Sequence, residues 1–215
     1  GATGCQPYAQ GLAHEQASGK KTHGCAALHR RHLRGIGLQR VVQHVEAESH
    51  LLKALDLNPK YSEARNNLGR LHIEMGKFDL AIREIQEVLK DLTFTQADRA
   101  YMNLTIAYFR KGQFEKARQN ASEALSVNRS NCLAHNYFGR SLLELGKYDE
   151  ATTALDKAVL LCSASKYDEP HYFSALAYYK MGARQKAVAR MEEVLKMYPQ
   201  GQYAQKAKSM LKIMK

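Results

Sequence analysis

The sequence of 215 residues predicts an all-α fold, a solenoid of antiparallel helix pairs, because columns of small residues recur at one period. The columns are turn glycines (Gly76, Gly112, Gly146, Gly182), alanines five residues later (Ala81, Ala117, Ala151, Ala187) and small residues seven residues earlier (Gly69, Thr105, Gly139, Ala175). The glycines are 36, 34 and 36 residues apart. An ordinary helical bundle has no reason to keep small residues at a fixed spacing over so long a stretch, so repeated helix pairs are indicated.

Each column has a physical role in such a pair. The turn between two antiparallel helices needs a residue that tolerates positive φ, which glycine does without steric strain. Small residues on the first helix, such as Gly69 and Gly139, are expected to face Ala81 and Ala151 on the second helix and let the two backbones approach.

The N-terminal part of the chain departs from this pattern. Residues 1–28 show no helical apolar period and are predicted to be a flexible tail. Residues 29–61 form a degenerate first repeat, whose second helix is indicated by apolar residues at helical spacing and stopped by Pro59. An edge repeat commonly departs from pattern because one of its faces has no neighbour.

Four full repeats and a cap follow within the predicted repeat domain, 29–215. The full repeats are 62–95, 98–131, 132–165 and 168–201. Residues 202–215 carry apolar residues on one side and lysines on the other, which predicts a C-terminal capping helix.

The formal net charge of +11 allows anionic partners, and the basic residues lie along helix faces with a concentration at the C-terminus. No stretch alternates aromatic and basic residues as single-strand binders do, so a solvated basic face is favoured and nucleic acid is not expected as a partner. No apolar run approaches the roughly 20 residues that span a bilayer.

The four cysteines lie at positions 5, 25, 132 and 162, too few for a disulfide-rich scaffold. Cys132 and Cys162 would lie at the same end of one helix pair, which leaves two alternatives. One is a disulfide that contributes on the order of 3 kcal/mol in an oxidising compartment. The other, two buried free thiols, is favoured. Cys25, His29 and His32 share a helical span, but no fourth ligand is near, so no metal site is expected.

No catalytic motif is found in the sequence. It has no glycine-rich phosphate loop, no histidine–glutamate zinc motif and no nucleophile elbow. A binding protein is therefore predicted rather than an enzyme, with no cofactor and no small-molecule substrate.

The repeated pattern resembles the tetratricopeptide repeat, which has a period near 34 and small residues at these columns. The resemblance also includes an aromatic residue two positions after the glycine (Phe78, Phe114, Tyr148) and prolines near repeat ends (Pro59, Pro199). The resemblance implies a right-handed superhelix whose concave groove, lined by the first helix of each pair, binds a protein segment. The implied groove residues are Asn66, Asn67, Arg70, Met102, Asn103, Ile106, Phe109, Asn136, Tyr137, Arg140, Tyr172, Phe173 and Tyr179.

The chemistry of these residues suggests what the groove holds. Asparagine amides bond to peptide backbone, Arg70 and Arg140 hold carboxylates, and the aromatic end suits an apolar segment. For single residues, such as Asn103, the alternative of stabilising a neighbouring helix stays open. The lysines that chaperone-tail binders need are replaced by Asn66 and Met102, which disfavours that partner.

A longer stretch, from Ala54 to Lys208 with ADRAYMNLTIAYFRKGQFEKA and the ending MYPQGQYAQKA, resembles the outer-membrane tetratricopeptide lipoproteins of type IV pilus biogenesis, the PilF, PilW and Tgl type. The resemblance implies a pilotin on the periplasmic face of the bacterial outer membrane that helps the pilus secretin to assemble. It implies a lipid on an N-terminal cysteine, for which Cys5 is the candidate, and membrane contact only through that lipid. The alternative is a cytosolic tetratricopeptide adaptor or secretion chaperone in which Cys132 and Cys162 are reduced.

Overall fold

The computed structural model describes residues 41–165 and 167–214 and divides the chain into two compact units, 1–50 and 51–215. In the first unit, residues 41–50 are helical. The predicted tail, the boundary at residue 29 and the candidate residues Cys5, Cys25, His29 and His32 lie outside the described residues.

The second unit is built from consecutive helices, and no strand occurs in the described ranges, which confirms the all-α prediction. Residues 51–57 form α1. The others are α2 (Ser62–Glu74), α3 (Phe78–Val88), α4 (Ala97–Arg110), α5 (Phe114–Val127), α6 (Cys132–Glu144), α7 (Tyr148–Leu161), α8 (Glu169–Lys180), α9 (Arg184–Met197) and α10 (Ala204–Met214). None of these helices is long and apolar enough to cross a membrane.

The helices stack in chain order. The members of each pair, α2 with α3 through α8 with α9, pack most extensively, and each pair then packs on the next. Helices α2, α4, α6 and α8 also contact one another in sequence. This nearest-neighbour arrangement is that of a solenoid, so the first helices of the pairs line one continuous surface.

The turn glycines have the conformation that the sequence predicts. Gly76, Gly112, Gly146 and Gly182 all have positive φ, between 72° and 86°. In the first turn, the N–H of Lys77 donates to the carbonyl of His72 at 2.8 Å and the N–H of Gly76 to that of Ile73 at 3.1 Å. The left-handed residue thus satisfies carbonyls at the end of α2 while the chain reverses.

The close approach of the paired helices involves different partners from those expected. A Cβ at Gly69 would lie 2.5 Å from Cγ1 of Ile85, and one at Gly139 would lie 2.5 Å from Cγ of Leu155. The predicted partner Ala81 contributes its carbonyl oxygen, at 3.4 Å. Helical side chains lean toward the N-terminus of their helix, so Ile85 covers the turn that begins at Ala81. Glycine is therefore required at positions 69 and 139, but because of Ile85 and Leu155, one turn after the alanines that were expected to face them.

Replacing Gly139 with valine is expected to lower the free energy of unfolding by about 2 kcal/mol, because added methyl groups in a packed core force shifts of this energy. The backbone nitrogen of Leu155 also lies only 3.1 Å from the new Cβ, so the side chain alone cannot relieve the clash. Urea unfolding measures the change. Ser122→Val, at an exposed position of α5, is the control for helix propensity. Equal stability of the two variants would contradict a tight crossing.

Candidate functional site

Helices α2 and α4 and the start of α6 enclose an open cavity of about 480 Å³, here called the polar groove. Six predicted groove residues line it: Asn66, Asn67, Arg70, Met102, Asn103 and Ile106. The lining also includes five residues that the sequence did not indicate: Glu63, Gln96, Arg99, Asn131 and Leu133. These residues lie before or after the helix positions that line the groove in tetratricopeptide repeats, and Gln96 lies in a linker. The repeat positions alone therefore do not predict them.

Two of the groove asparagines bond to each other. The Nδ2 of Asn103 donates to the Oδ1 of Asn66 at 3.0 Å, and both side chains are buried. A buried amide needs a hydrogen-bond partner, and each of these two side chains is the partner of the other. The hydrogen bond therefore links α2 to α4. Asn103 therefore takes the helix-stabilising role that its sequence left open.

The exposed polar groups of the groove are available to a ligand. Arg70 pairs with Glu74 one turn later at 2.7 Å, and the guanidinium of Arg99 donates to Oε1 of Gln96 at 2.8 Å. Exposed pairs of this kind contribute little to stability, so a carboxylate of a binding partner can exchange with them. Asn67, also exposed, offers a free-standing amide for a peptide backbone.

The second half of the predicted groove is occupied by the protein's own side chains, here called the arginine cluster. The guanidinium carbon of Arg140 lies 4.5 Å from the ring centroid of Phe109, 5.0 Å from that of Tyr137 and 4.2 Å from that of Phe173. Its guanidinium donates to Glu169 of α8. This corrects the expectation that Arg140 holds a partner's carboxylate, because the carboxylate it holds comes from the next pair.

Glu169 collects further donors inside the solenoid. The hydroxyl of Tyr167 donates to it, and the hydroxyl of Tyr203 does so at 3.2 Å. The Nδ2 of Asn136, a residue with no exposed surface, donates to the hydroxyl of Tyr167 at 3.2 Å. Asn136 is thus a core residue that supports the arginine cluster, rather than a contact for a partner.

The tyrosines of this region keep their protons. Burial raises the pKa of Tyr137, and burial together with the hydrogen bond to Glu169 raises that of Tyr167. Burial, and then the charge of Glu169, raises the pKa of Tyr203 to about 12. At neutral pH the hydroxyls of Tyr167 and Tyr203 are therefore protonated and donate to the carboxyl group of Glu169.

The remaining predicted aromatic residues also pack within the protein. Tyr172 is buried, with its ring centroid 4.8 Å from that of Tyr203 and 5.4 Å from that of Phe173. Tyr179 packs against the same C-terminal core. Sequence position alone does not separate these residues from groove residues, because both lie on the first helix of a pair.

Cys132 and Cys162 form a disulfide with a Cα–Cα distance of 5.4 Å. Cys132 begins α6 and Cys162 is the C-cap of α7, so the antiparallel pair brings them together at one end. The expectation of two buried free thiols, favoured from the sequence, is therefore wrong. Spacing alone shows only that the two cysteines share an end, whereas the structure gives a separation that a disulfide can bridge.

No group of three or more histidine, cysteine, aspartate or glutamate side chains that could hold a metal ion occurs in the part of the chain that the structure describes.

Family models match parts of the chain. Models described as "Tetratricopeptide repeat" match residues 43–100 and 174–201. A model described as "Anaphase-promoting complex, cyclosome, subunit 3" matches residues 87–158. None of these describes a catalytic family. No curated protein sequence matches the chain.

Several solved structures share the fold. MamA is 22% identical, with a TM-score of 0.66 over 79% of this chain and 94% of its own. PilW, described as a widely conserved type IV pilus biogenesis factor, is 18% identical, with a TM-score of 0.70 over 78% of this chain and 76% of its own. YrrB, described as a TPR protein with an unusual peptide-binding site, is 19% identical, with a TM-score of 0.64 over 80% of this chain and 87% of its own. At these identities the similarity shows the solenoid fold alone.

Proposed function

Because this chain carries tetratricopeptide repeats and is a scaffold for protein–protein interaction, we propose that its polar groove binds a segment of the pilus secretin, as a pilotin does in secretin assembly. The observation that carries the proposal is an open groove lined by exposed amide and guanidinium groups.

The groove favours an extended segment with an acidic side chain. The amide of Asn67 is able to form hydrogen bonds with the peptide backbone of such a segment. The guanidinium groups of Arg70 and Arg99 are able to bind its carboxylates. Met102, Ile106 and Leu133 supply apolar surface between the polar groups. The arginine cluster occupies the next pairs, so the proposed ligand contacts mainly α2, α4 and the start of α6.

Two observations favour an envelope protein over a cytosolic adaptor or secretion chaperone. The disulfide between Cys132 and Cys162 suits an oxidising compartment such as the periplasm, since cytosolic thiols are kept reduced. The stretch from Ala54 to Lys208 resembles the pilus lipoproteins, and the fold is shared with PilW. Anchoring through a lipid on Cys5, at the outer membrane, is part of this proposal.

Arg70→Glu combined with Arg99→Glu is expected to weaken binding of the secretin subunit at least about tenfold and to abolish secretin multimers in cells. The introduced glutamates repel the carboxylates that the two arginines would otherwise bind. Each hydrogen bond to a charged group that is lost contributes about 1.5 to 3 kcal/mol. Isothermal titration with the purified subunit measures the affinity. Multimer formation is followed by electrophoresis without boiling.

The matched control is Lys53→Glu with Arg83→Glu, which changes the net charge equally at exposed positions outside the polar groove. It is expected to bind as the unchanged protein does. If groove and control variants bind the secretin subunit equally well, the groove is not the binding surface. A protein that fractionates with the cytosol, without lipid label and with reduced cysteines, would instead identify the adaptor.

A further inference from the structure

The outer face of α10 carries positive charge that no described residue neutralises. Lys206, Lys208 and Lys212 are all exposed, and α10 contains no acidic residue. None of the ion pairs between described residues includes Lys208 or Lys212, and the ammonium of Lys206 lies 5.0 Å from the ring centroid of Tyr203. None of these lysines lines the polar groove. They form a separate surface, here called the lysine face.

The charge of the chain is concentrated at this end. Residues 170–215 hold nine of the lysines and arginines but only two acidic residues, which accounts for seven of the eleven net positive charges. Both acids lie on α9 and both interact with other residues, Glu193 with Arg190 at 2.7 Å. The guanidinium of Arg184 donates to the backbone carbonyl of Met214, at the end of α10. Arg190 is also paired with Asp156 at 2.8 Å, and Asp168 accepts the N–H of Tyr203 at 2.8 Å, so the positive charge at this end lies mainly on the exposed lysines.

An apolar side chain projects from the same face. Ile213 is 63% exposed and lies two helical turns after Lys206, so the two side chains point in nearly the same direction. The opposite side of α10, with Ala207, Leu211 and Met214, is buried against the last helix pair. The helix is thus held with its basic face and one branched apolar residue directed outward.

We propose that the lysine face docks on the surface of a bilayer that contains anionic phospholipids. Lysines on flexible stems around an exposed apolar residue are the features of a helix that lies in a membrane interface, with the ammonium groups at phosphate level and the apolar group below. Bases of nucleic acids need exposed rings to stack on, and Tyr203, the aromatic residue beside Lys206, is buried. An anionic lipid surface fits both the charge and Ile213.

This docking would add an electrostatic contact to the lipid anchor proposed above, and it does not depend on what the polar groove binds. The contact acts through charge, so its strength falls as salt shortens the Debye length. The 215-residue chain, prepared without lipid, is mixed with vesicles of phosphatidylcholine alone or with about one third phosphatidylglycerol, and the bound fraction is measured by flotation. Binding to the anionic vesicles alone, lost at about 0.5 M salt, is the expected result.

The test variant is Lys208→Glu with Lys212→Glu. Each lysine near an anionic surface contributes about fivefold to binding, so the two reversals are expected to weaken vesicle binding at least about 25-fold. The matched control, Lys53→Glu with Lys60→Glu, makes the same charge change at exposed positions in α1 and the following turn and is expected to retain binding. Circular dichroism checks that both variants are folded.

Three results would overturn the proposal. The first is no binding of the unchanged chain to anionic vesicles, and the second is equal loss in the test and control variants. The third is a result in which the test variant loses binding to a single-stranded oligonucleotide of about 20 nucleotides but still binds vesicles. That result would assign the lysine face to nucleic acid. None of these results bears on the affinity of the polar groove for a secretin segment.

Discussion

Replacing Glu169 with alanine is expected to lower the free energy of unfolding by about 3 kcal/mol, since removing one member of a buried ion pair leaves the other charge uncompensated. The side chains of Arg140 and Glu169 are only 15% and 12% exposed. The substitution also removes the acceptor of the hydroxyls of Tyr167 and Tyr203. Thermal unfolding should show a Tm lower by about 6 to 12 °C for a chain of this size.

A matched control and a double-mutant cycle separate this pair from a general effect of removing a carboxylate. Glu144→Ala, at an exposed position at the end of α6, is expected to change the stability by less than about 0.5 kcal/mol. Arg140→Met combined with Glu169→Ala should destabilise less than the sum of the single changes, because no charge is left unpaired. Additive effects, or a Tm unchanged by Glu169→Ala, would mean that Arg140 is not held by Glu169.

Removing the disulfide, by Cys132→Ser with Cys162→Ser, is expected to lower the free energy of unfolding by about 3 kcal/mol. The two cysteines are 30 residues apart in the sequence, and a bond that closes a loop of this length restricts the unfolded chain strongly. Guanidinium unfolding under oxidising conditions measures the change. The unchanged protein treated with a reductant should unfold at the same midpoint as the variant.

Cys5→Ser with Cys25→Ser removes the same number of thiols without touching this bond, and it serves as the control. Thiol titration of the protein purified without reductant adds a direct readout, in which Cys132 and Cys162 should be unreactive. Two reactive thiols at these positions, or a reductant that leaves the stability unchanged, would contradict the bond. Such a result would also remove the main support for an oxidising compartment.

The residues of the turns and close contacts were the most predictable from sequence. Gly76 and its three counterparts lie where a left-handed residue is required, and Gly69 and Gly139 lie where only a missing side chain fits. Such requirements are local, so one residue type at one spacing expresses them. The bulky partners Ile85 and Leu155 were not identified, because the lean of a helical side chain shifts the contact by a turn.

The candidate groove was predicted only in part, and the reason is again physical. The exposed residues Asn67 and Arg70 lie in the polar groove as the repeat positions imply. Arg140 occupies an equivalent position, yet Glu169 of the next pair and three aromatic rings surround it. Whether a side chain at a given repeat position is exposed or packed depends on the residues of the adjacent repeat. A prediction from positions within one repeat does not take those residues into account.

The sequence by itself determined that the chain is a stack of helix pairs, because glycine conformation and helix spacing act within one repeat. Only the tertiary structure decided which polar residues line the open groove, whether Cys132 and Cys162 meet, and that the lysines of α10 lack acidic partners among the described residues. These outcomes depend on distances between groups from different helices. Burial and pairing arise between repeats, where many different sequences can satisfy the same periodic pattern.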